Sequence, residues 1–410
     1  MDELARRGAA ALDVTSSAPL TGAAVASLMT GLYQTHHWVV SHVGRLPEGM
    51  RTLAEVCRSA DYDTAAFVGN PVLKPEHLRG IERGFSHYDA VMPSVERNRP
   101  ASVYRDAEET TKAVLRWLGE RKQGPFLLWI HYMEPHGPYE VHDLSKLAPL
   151  RSAVRVASDP AALPVLQDNY GPGGIPAYQV LGEERDPVEY RARYAARVEV
   201  VDSHLGQVLA ELDRSGLTEQ SVVAVTADHG ELMGEHRYYF QHGVTLLQPV
   251  LHIPLVIAAP GMQGGQRVRA PASNVDIMPT LLQLAGLSRL SPETDGQSLA
   301  GLLHGEPEGP ARAVYALSER DREWCIKAGK RKLTLSQGSP TGREGLFDLE
   351  TDPGEEHDLS YENPSVAGKL RKALQGFMAT NPDVLSRPET AHPSLTEEER
   401  QRLKSLGYLR

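Results

Sequence analysis

The sequence predicts an α/β protein: a mostly parallel sheet with helices on both faces, followed by a smaller C-terminal α+β domain. Three observations carry that expectation. Short, continuously apolar runs alternate with amphipathic stretches, as strands buried on both faces alternate with crossover helices. A Gly- and Pro-rich excursion over residues 138–187 interrupts the alternation between a strand and the next clear helix. After Gly286 the chain changes character, which puts a domain change near residue 300 and divides it into 1–300 and 301–410.

Taken in order, residues 53–60 read as a helix and 64–68 as a strand. Residues 108–121 have helical spacing, and the run Phe126-Leu127-Leu128-Trp129-Ile130 is a buried strand. Residues 190–212 form a long helix with Val198, Val201, Leu205, Val208 and Leu209 on one face. Residues 221–226 and 255–258 are further apolar strands. The excursion includes Tyr170-Gly171-Pro172-Gly173-Gly174, and structureless connections of this length are usually functional or mobile. Residues 314–335 suggest strands of a small sheet, 363–380 an amphipathic helix, and 395–406 a short charged helix.

Composition narrows the function classes. Of 410 residues, 41% are hydrophobic and 23% charged, which is ordinary globular usage and argues against disorder and coiled coil. The net charge of −10 removes the global basic footprint of a nucleic-acid binder. With only 2 cysteines, Cys57 and Cys325, neither a disulfide scaffold nor a Cys-only zinc site can form. No run reaches the ~18 apolar residues of a membrane span, and Met1 to Arg7 lacks the apolar stretch of a signal peptide. Nothing in the sequence names a compartment or an oligomeric state.

Three segments could do chemistry. Thr226-Ala227-Asp228-His229-Gly230-Glu231 directly follows a buried strand, where open α/β sheets bind ligands. There Asp228 and His229 can offer a carboxylate oxygen and an imidazole nitrogen to one cation, with His236 and His242 nearby; the alternative is a loop carboxylate capping a helix. His131-Tyr132-Met133-Glu134-Pro135-His136-Gly137-Pro138 also follows a strand, so His131 or His136 can protonate a leaving group or bind an anionic oxygen, or be merely solvated. Thr21 precedes small residues and a short helical stretch ending at Gly31. A hydroxyl there is an N-cap, or a nucleophile beside an anion-binding helix end.

These segments occur in the order found in the sulfatase family of the alkaline-phosphatase-like superfamily. Further blocks resemble it: Ser27-Leu28-Met29-Thr30-Gly31-Leu32-Tyr33, Thr52-Leu53-Ala54-Glu55-Val56, Arg83-Gly84-Phe85, Asp276-Ile277-Met278-Pro279-Thr280 and Leu346-Phe347-Asp348-Leu349. The resemblance covers nearly the whole chain. It implies an alkaline-phosphatase-like fold and a metal-dependent hydrolase of sulfate or phosphate esters. It implies Asp228 and His229 as metal ligands, Thr21 at the nucleophile position, His136 on the ester or its leaving oxygen, and His242 with His131 on the anionic oxygens. The implied cofactor is a divalent cation, calcium first, with manganese or zinc as alternatives. The implied substrate is a small-molecule, glycan or lipid ester.

Two departures bear on that reading. The family's Cys-x-Pro-x-Arg motif, whose Cys becomes formylglycine, is here Thr21-Gly22-Ala23-Ala24-Val25. Thr is the nucleophile type of related phosphotransferases and phosphodiesterases, so phosphate esters come into view. The family also begins with a strand ending in paired aspartates that bind the same metal, expected before Asp2 to Gly8 and not found in this chain. Two other functions therefore stand beside the hydrolase: a catalytically impaired relative that binds an anionic ligand, and a Thr-dependent transferase of phosphoryl head groups.

Overall fold

The computed structural model describes residues 1–96, 103–141, 143–320, 322–337 and 343–385, so the expected helix at 395–406 lies outside the described residues. Helix α1 (Asp2–Arg7) leads into β1 (Ala9–Thr15), followed by α2 (Thr21–Thr30), α3 (Leu53–Ser59), β2 (Asp63–Val68), β3 (His87–Asp89), α4 (Ala107–Glu120) and β4 (Phe126–His131). Beyond the excursion come α5 (Pro187–Arg214), β5 (Val223–Thr226), the hairpin β6 (Leu232–Met233) and β7 (Tyr239–Gln241), then β8 (His252–Ala258), β9 (Gln266–Val268), β10 (Ala272–Ser273) and α6 (Ile277–Leu284). Local chemistry fixes several helix starts. Thr52 and Glu55 form a reciprocal capping box on α3, Asp106 caps α4, and Asp186 caps α5 with Pro187 in its first turn. Helix α2 is buried almost all round and stops at Gly31, whose φ of 68° is left-handed.

The α/β class stands, with one correction to strand direction: the sheet is mixed. Strand β1 pairs in parallel with β9 and β10 but antiparallel with β8, and β8 is antiparallel to β5. A parallel set, β3-β2-β4, lies apart. Apolar runs report burial on both faces and carry no information on direction. The direction of β8 follows from its entry point. Residues 227–251 stay at the carboxyl end of β5, so the chain enters β8 at that end and runs back.

Among the described residues, the outer edges of β4 and β5 pair with nothing. Both edges line one cavity of about 1910 Å³. Leu205, Val208 and Leu209 of α5, with Val25 and Leu28 of α2 and Leu281 of α6, also line it. The apolar face expected on α5 is real, but it looks into this space, and Val198 on it is 45% exposed.

The C-terminal part is a four-stranded antiparallel sheet, β11 (Ala313–Ser318), β12 (Glu323–Ala328), β13 (Arg331–Ser336) and β14 (Arg343–Asp348), packed against α7 (Pro364–Met378). It reaches back to the main sheet through a fully buried ion pair, Lys332–Glu355, at 2.5 Å. Lys332 Nζ also donates to the Leu246 carbonyl, and the Gln248 N–H donates to Glu355 Oε2 at 2.6 Å. The pair therefore pins the segment between β7 and β8 from both sides.

Removing one partner leaves the other charge buried and unpaired. Lys332→Met is expected to cost about 3–5 kcal/mol of unfolding free energy, and Lys332→Met with Glu355→Gln much less. Denaturant titration of the parent and both variants measures this.

Candidate active site

The site forms where β4 and β5 end and α2 begins. Thr21 is the first residue of α2, 2% exposed, and Leu20 occupies the cap position without a capping side chain. The Thr21 hydroxyl therefore does not cap its own helix. Its Oγ1 lies 3.2 Å from His229 Nε2. Gly22, the next residue, permits a crossing chain: a Cβ there would lie 2.5 Å from the Ser41 carbonyl oxygen and 2.8 Å from His42 Cα. The crossing delivers His42 to the site.

Asp228 and His229 follow β5 on a loop held by backbone contacts. Ser16 Oγ donates to the Asp228 carbonyl, and the Gly230 N–H donates to the Val250 carbonyl at 2.7 Å. A Cβ at Gly230 would lie 2.0 Å from the Pro249 carbonyl oxygen, so the approach needs glycine. His229 Nδ1 lies 2.8 Å from the Gly230 carbonyl oxygen. A carbonyl only accepts, so Nδ1 carries a proton, while Nε2 faces both the Thr21 hydroxyl and Asp228 Oδ2, the latter at 3.5 Å. His136 is set in the same way, with Nδ1 2.7 Å from the Gly137 carbonyl oxygen.

The histidines gather closely. The His242 ring centroid lies 4.3 Å from that of His229 and 5.1 Å from that of His136. His242 Nδ1 meets Glu231 Oε1 at 2.9 Å. Desolvation pushes the pKa of His42 and His242 well below the usual histidine range, with neighbouring histidines adding to it, and lowers that of His131. Asp228 goes the other way. Desolvation favours its neutral form, but His229 and His131, the Thr21 hydroxyl and the His229 N–H outweigh it and hold the carboxyl at about 2. The site thus sets an ionised Asp228 among imidazoles of which His42, His131 and His242 are disposed to stay neutral.

Thr21, His131, His136, Asp228 and His229 line the same end of the cavity, and His242 stacks beside them. Thr21, His131, His136, Asp228, His229 and His242 are thus brought to one place. His236 is not: its Nε2 bonds the Gly354 carbonyl in the C-terminal part. Sequence reasoning missed His42 and the role of Glu231. The only signal for His42 was a cluster of histidines, His36, His37 and His42, close behind α2; His37 serves structure by bonding Ser27.

The donors at Asp228 and His229 have the chemistry a divalent cation needs. They are too few, because hard cations take six to eight oxygens. Among the described residues no group of three or more His, Cys, Asp or Glu side chains is placed to hold a metal ion. These residues alone do not make a metal centre.

An α/β sheet that ends in a hydroxyl, a carboxylate and a ring of imidazoles is built to handle anionic esters. The general sulfatase family model matches residues 1–287, and the chain belongs to that family. That places it among sulfatase-like hydrolases of sulfate and phosphate esters, a family that generally uses a divalent metal ion. The chain is 27% identical over 407 residues to the choline-sulfatase of Rhizobium meliloti (strain 1021), covering 88% of this chain and 77% of that protein. It is 28% identical over 206 residues to arylsulfatase K of Mus musculus, where the match covers 48% of this chain and 37% of that protein. The crystal structure of the phosphonate monoester hydrolase of Agrobacterium radiobacter superposes with a TM-score of 0.70 at 21% identity, covering 93% of this chain and 90% of that one. No helix among the described residues is long and apolar enough to cross a membrane.

Glu231 gives the site a pH signature. Burial raises its carboxyl from the ordinary 4.5 to about 7, against the opposing pull of His136 and His229. Folded protein therefore holds a proton that the unfolded chain releases earlier. The stability this group contributes is full below about pH 4.5 and is lost as pH rises through about 7. Subtracting the unfolding free energy of Glu231→Gln from that of the parent should leave a difference that falls by up to about 3 kcal/mol between about pH 5 and about pH 8. A flat difference would show that Glu231 titrates as an ordinary glutamate.

Proposed function

We propose that this chain is the catalytic portion of a Thr-dependent ester hydrolase that prefers phosphate to sulfate esters of a small molecule, glycan or lipid. One observation carries the reading: the Thr21 hydroxyl lies 3.2 Å from His229 Nε2, the ring nitrogen that accepts a proton when the imidazole is neutral with its Nδ1–H on the Gly230 carbonyl. In the step derived from these residues, the Thr21 oxygen bonds to phosphorus and its proton passes to His229 Nε2. The bond from phosphorus to the alcohol oxygen breaks, and His136, when protonated, hands a proton to that leaving oxygen. His242 and His131 hold the remaining anionic oxygens. Water then releases phosphate from Thr21 by the reverse sequence.

The phosphate preference rests on residue chemistry. A formylglycine arises from a primary thiol or alcohol, and position 21 is a secondary alcohol. The family's arginine position holds Val25, which is 2% exposed in the apolar core beside Met29 and Leu53.

Residues 1–300 form the catalytic domain in this reading and 301–410 the small C-terminal one. The catalytic domain needs one more strand, in the cavity between β4 and β5. Two unpaired strand edges and apolar helix faces above and below support that placement, because such edges cost free energy when left open. A strand there would end beside Asp228, where carboxylates on it would complete the shell of a divalent cation, calcium before manganese or zinc. A second reading has support in one observation: with no third ligand among the described residues, the chain as it stands fits an anion binder without turnover.

The test joins a strand ending in an aspartate pair ahead of Met1 and assays aryl phosphates, aryl sulfates and metal binding. The extended protein should bind a divalent cation and cleave aryl phosphate faster than aryl sulfate. Thr21→Ala in it should lower the rate at least about a hundredfold with an unchanged circular dichroism spectrum. Good aryl sulfate cleavage that survives Thr21→Ala would make Thr21 a structural residue and overturn the mechanism.

A further inference from the structure

The excursion over residues 138–187 has no part in the chemistry above, yet it is tied to the site from two sides. On one side it is fixed along β7. Gln241, the last residue of β7 and fully buried, exchanges two hydrogen bonds with Gly171: the Gly171 N–H donates to Oε1 at 3.0 Å, and Nε2 donates to the Gly171 carbonyl at 2.8 Å. The Gly173 N–H donates to the Arg237 carbonyl at 2.7 Å, and Tyr178 Oη donates to the Phe240 carbonyl at 3.4 Å. Tyr178 belongs to a single helical turn, Ala177–Gln179, whose last residue meets the His136 loop on the other side.

Gln179 is fully buried, and its amide lies against Gly137. A Cβ at position 137 would stand 1.8 Å from Oε1 and 2.2 Å from Nε2, so this contact, and not a left-handed backbone, requires glycine there. Gly137 is the residue whose carbonyl takes His136 Nδ1 at 2.7 Å. Among the described residues neither Oε1 nor Nε2 of Gln179 has a hydrogen-bond partner. Ile175 and Val180, on either side of the turn, pack in one apolar cluster with Tyr139 and Phe240. An amide without partners in such surroundings costs stability, and an apolar side chain would fill the space better. A dipole that no hydrogen bond engages, and that burial keeps from water, acts on its nearest neighbour, here the peptide unit of Gly137.

We propose that Gln179 is a positioning residue for His136, acting through Gly137. Its amide orients the Gly137 peptide so that the carbonyl stays on His136 Nδ1. The proton held there leaves Nε2 as the ring nitrogen that exchanges a proton with the leaving oxygen. The inference deepens the reading above and rests on it. It also gives the excursion a part in the reaction: pinned to β7, it sets the geometry of a histidine on the loop after β4.

The experiment reads the ring protons of His136 and does not require turnover. The full chain, Gln179→Met and Gln179→Asn are prepared with isotopically labelled histidine, and proton–nitrogen correlation spectra are recorded at about pH 8, where an ordinary histidine is neutral. Comparison with His136→Asn identifies the ring. In the parent the Nδ1–H tautomer should dominate. Gln179→Met fills the space without the dipole, and Gln179→Asn draws the amide back from Gly137. Each should lower the ratio of the Nδ1–H to the Nε2–H tautomer about tenfold, and either suffices where the other does not fold. Gln179→Met should do so with a melting temperature no lower than the parent's, which a merely structural residue would not show. A ratio unchanged in the folded variants makes Gln179 a filler of the core and overturns the inference, leaving the hydrolase reading in place. A parent ring protonated chiefly at Nε2 removes the assigned proton transfer at His136 from that reading and takes the inference with it.

Discussion

The stretch from Ala227 to Leu251 leaves the sheet at the end of β5, circles the site and re-enters beside its own point of departure. One backbone hydrogen bond, from Gly230 to the Val250 carbonyl, closes that circuit. Glycine is required at the crossing because a side chain would enter the Pro249 carbonyl. The closure sets the Gly230 carbonyl against His229 Nδ1 and so decides which ring nitrogen carries the proton. It also brings Glu231 within hydrogen-bond distance of His242, eleven residues further along the circuit. The Lys332–Glu355 pair then holds the returning half from the other domain. Buried ion pairs are weak sources of net stability, and this one is better understood as fixing position.

The electrostatics of the site follow from crowding. His42, His131, His136, His229 and His242 meet around two carboxyls, Asp228 and Glu231, and imidazoles this close cannot all be protonated. Desolvation and mutual repulsion keep His42 and His242 neutral, whereas Asp228 stays ionised because rings and N–H groups surround it. An arriving ester anion reverses the balance. It adds negative charge next to neutral imidazoles, raises their proton affinity, and so favours proton uptake at the point where a leaving oxygen needs a proton. The same neighbours that hold protons off the empty site help bring them to the filled one.

Much of this was legible in the sequence, and for a physical reason. Strands such as 126–130 and 221–226 are continuous apolar runs, so the strands could be read directly, although their open edges on the cavity leave both only partly buried; ligand sites at strand ends then placed His131, His136, Asp228 and His229 together. Thr21 was legible because a helix start leaves a mark, with small residues ahead and Gly31 behind. Strand direction was not legible, since an apolar run is the same read either way; only the path of residues 227–251 shows that β8 runs back. His42 was hidden because nothing around it in sequence sets it apart from His36 and His37. What brings it to the site is an absence, the missing Cβ of Gly22, over which residues 41 and 42 cross. The tie between residues 138–187 and β7 was hidden for a similar reason: it rests on a single buried amide, Gln241, meeting the backbone of Gly171.

The cavity between β4 and β5 joins these features into one argument. Its walls are two strand edges and two layers of apolar helix surface, and its upper end is the site itself. Open backbone groups along both edges and an apolar lining favour the same occupant, an extended segment with small or apolar side chains on both faces, because it alone pairs the edges and covers the lining. The slot runs along the strands, so the end of such a segment emerges beside Asp228 and Thr21. Whatever it carries there sets the charge of the site. With apolar ends, the segment adds no carboxylate to Asp228 and Glu231, and the imidazoles dominate, which suits holding an anion. With carboxylates there, the negative charge exceeds what neutral imidazoles can balance, and only a cation restores neutrality. Sheet continuity and metal chemistry are therefore one question in this fold, decided by the same few residues.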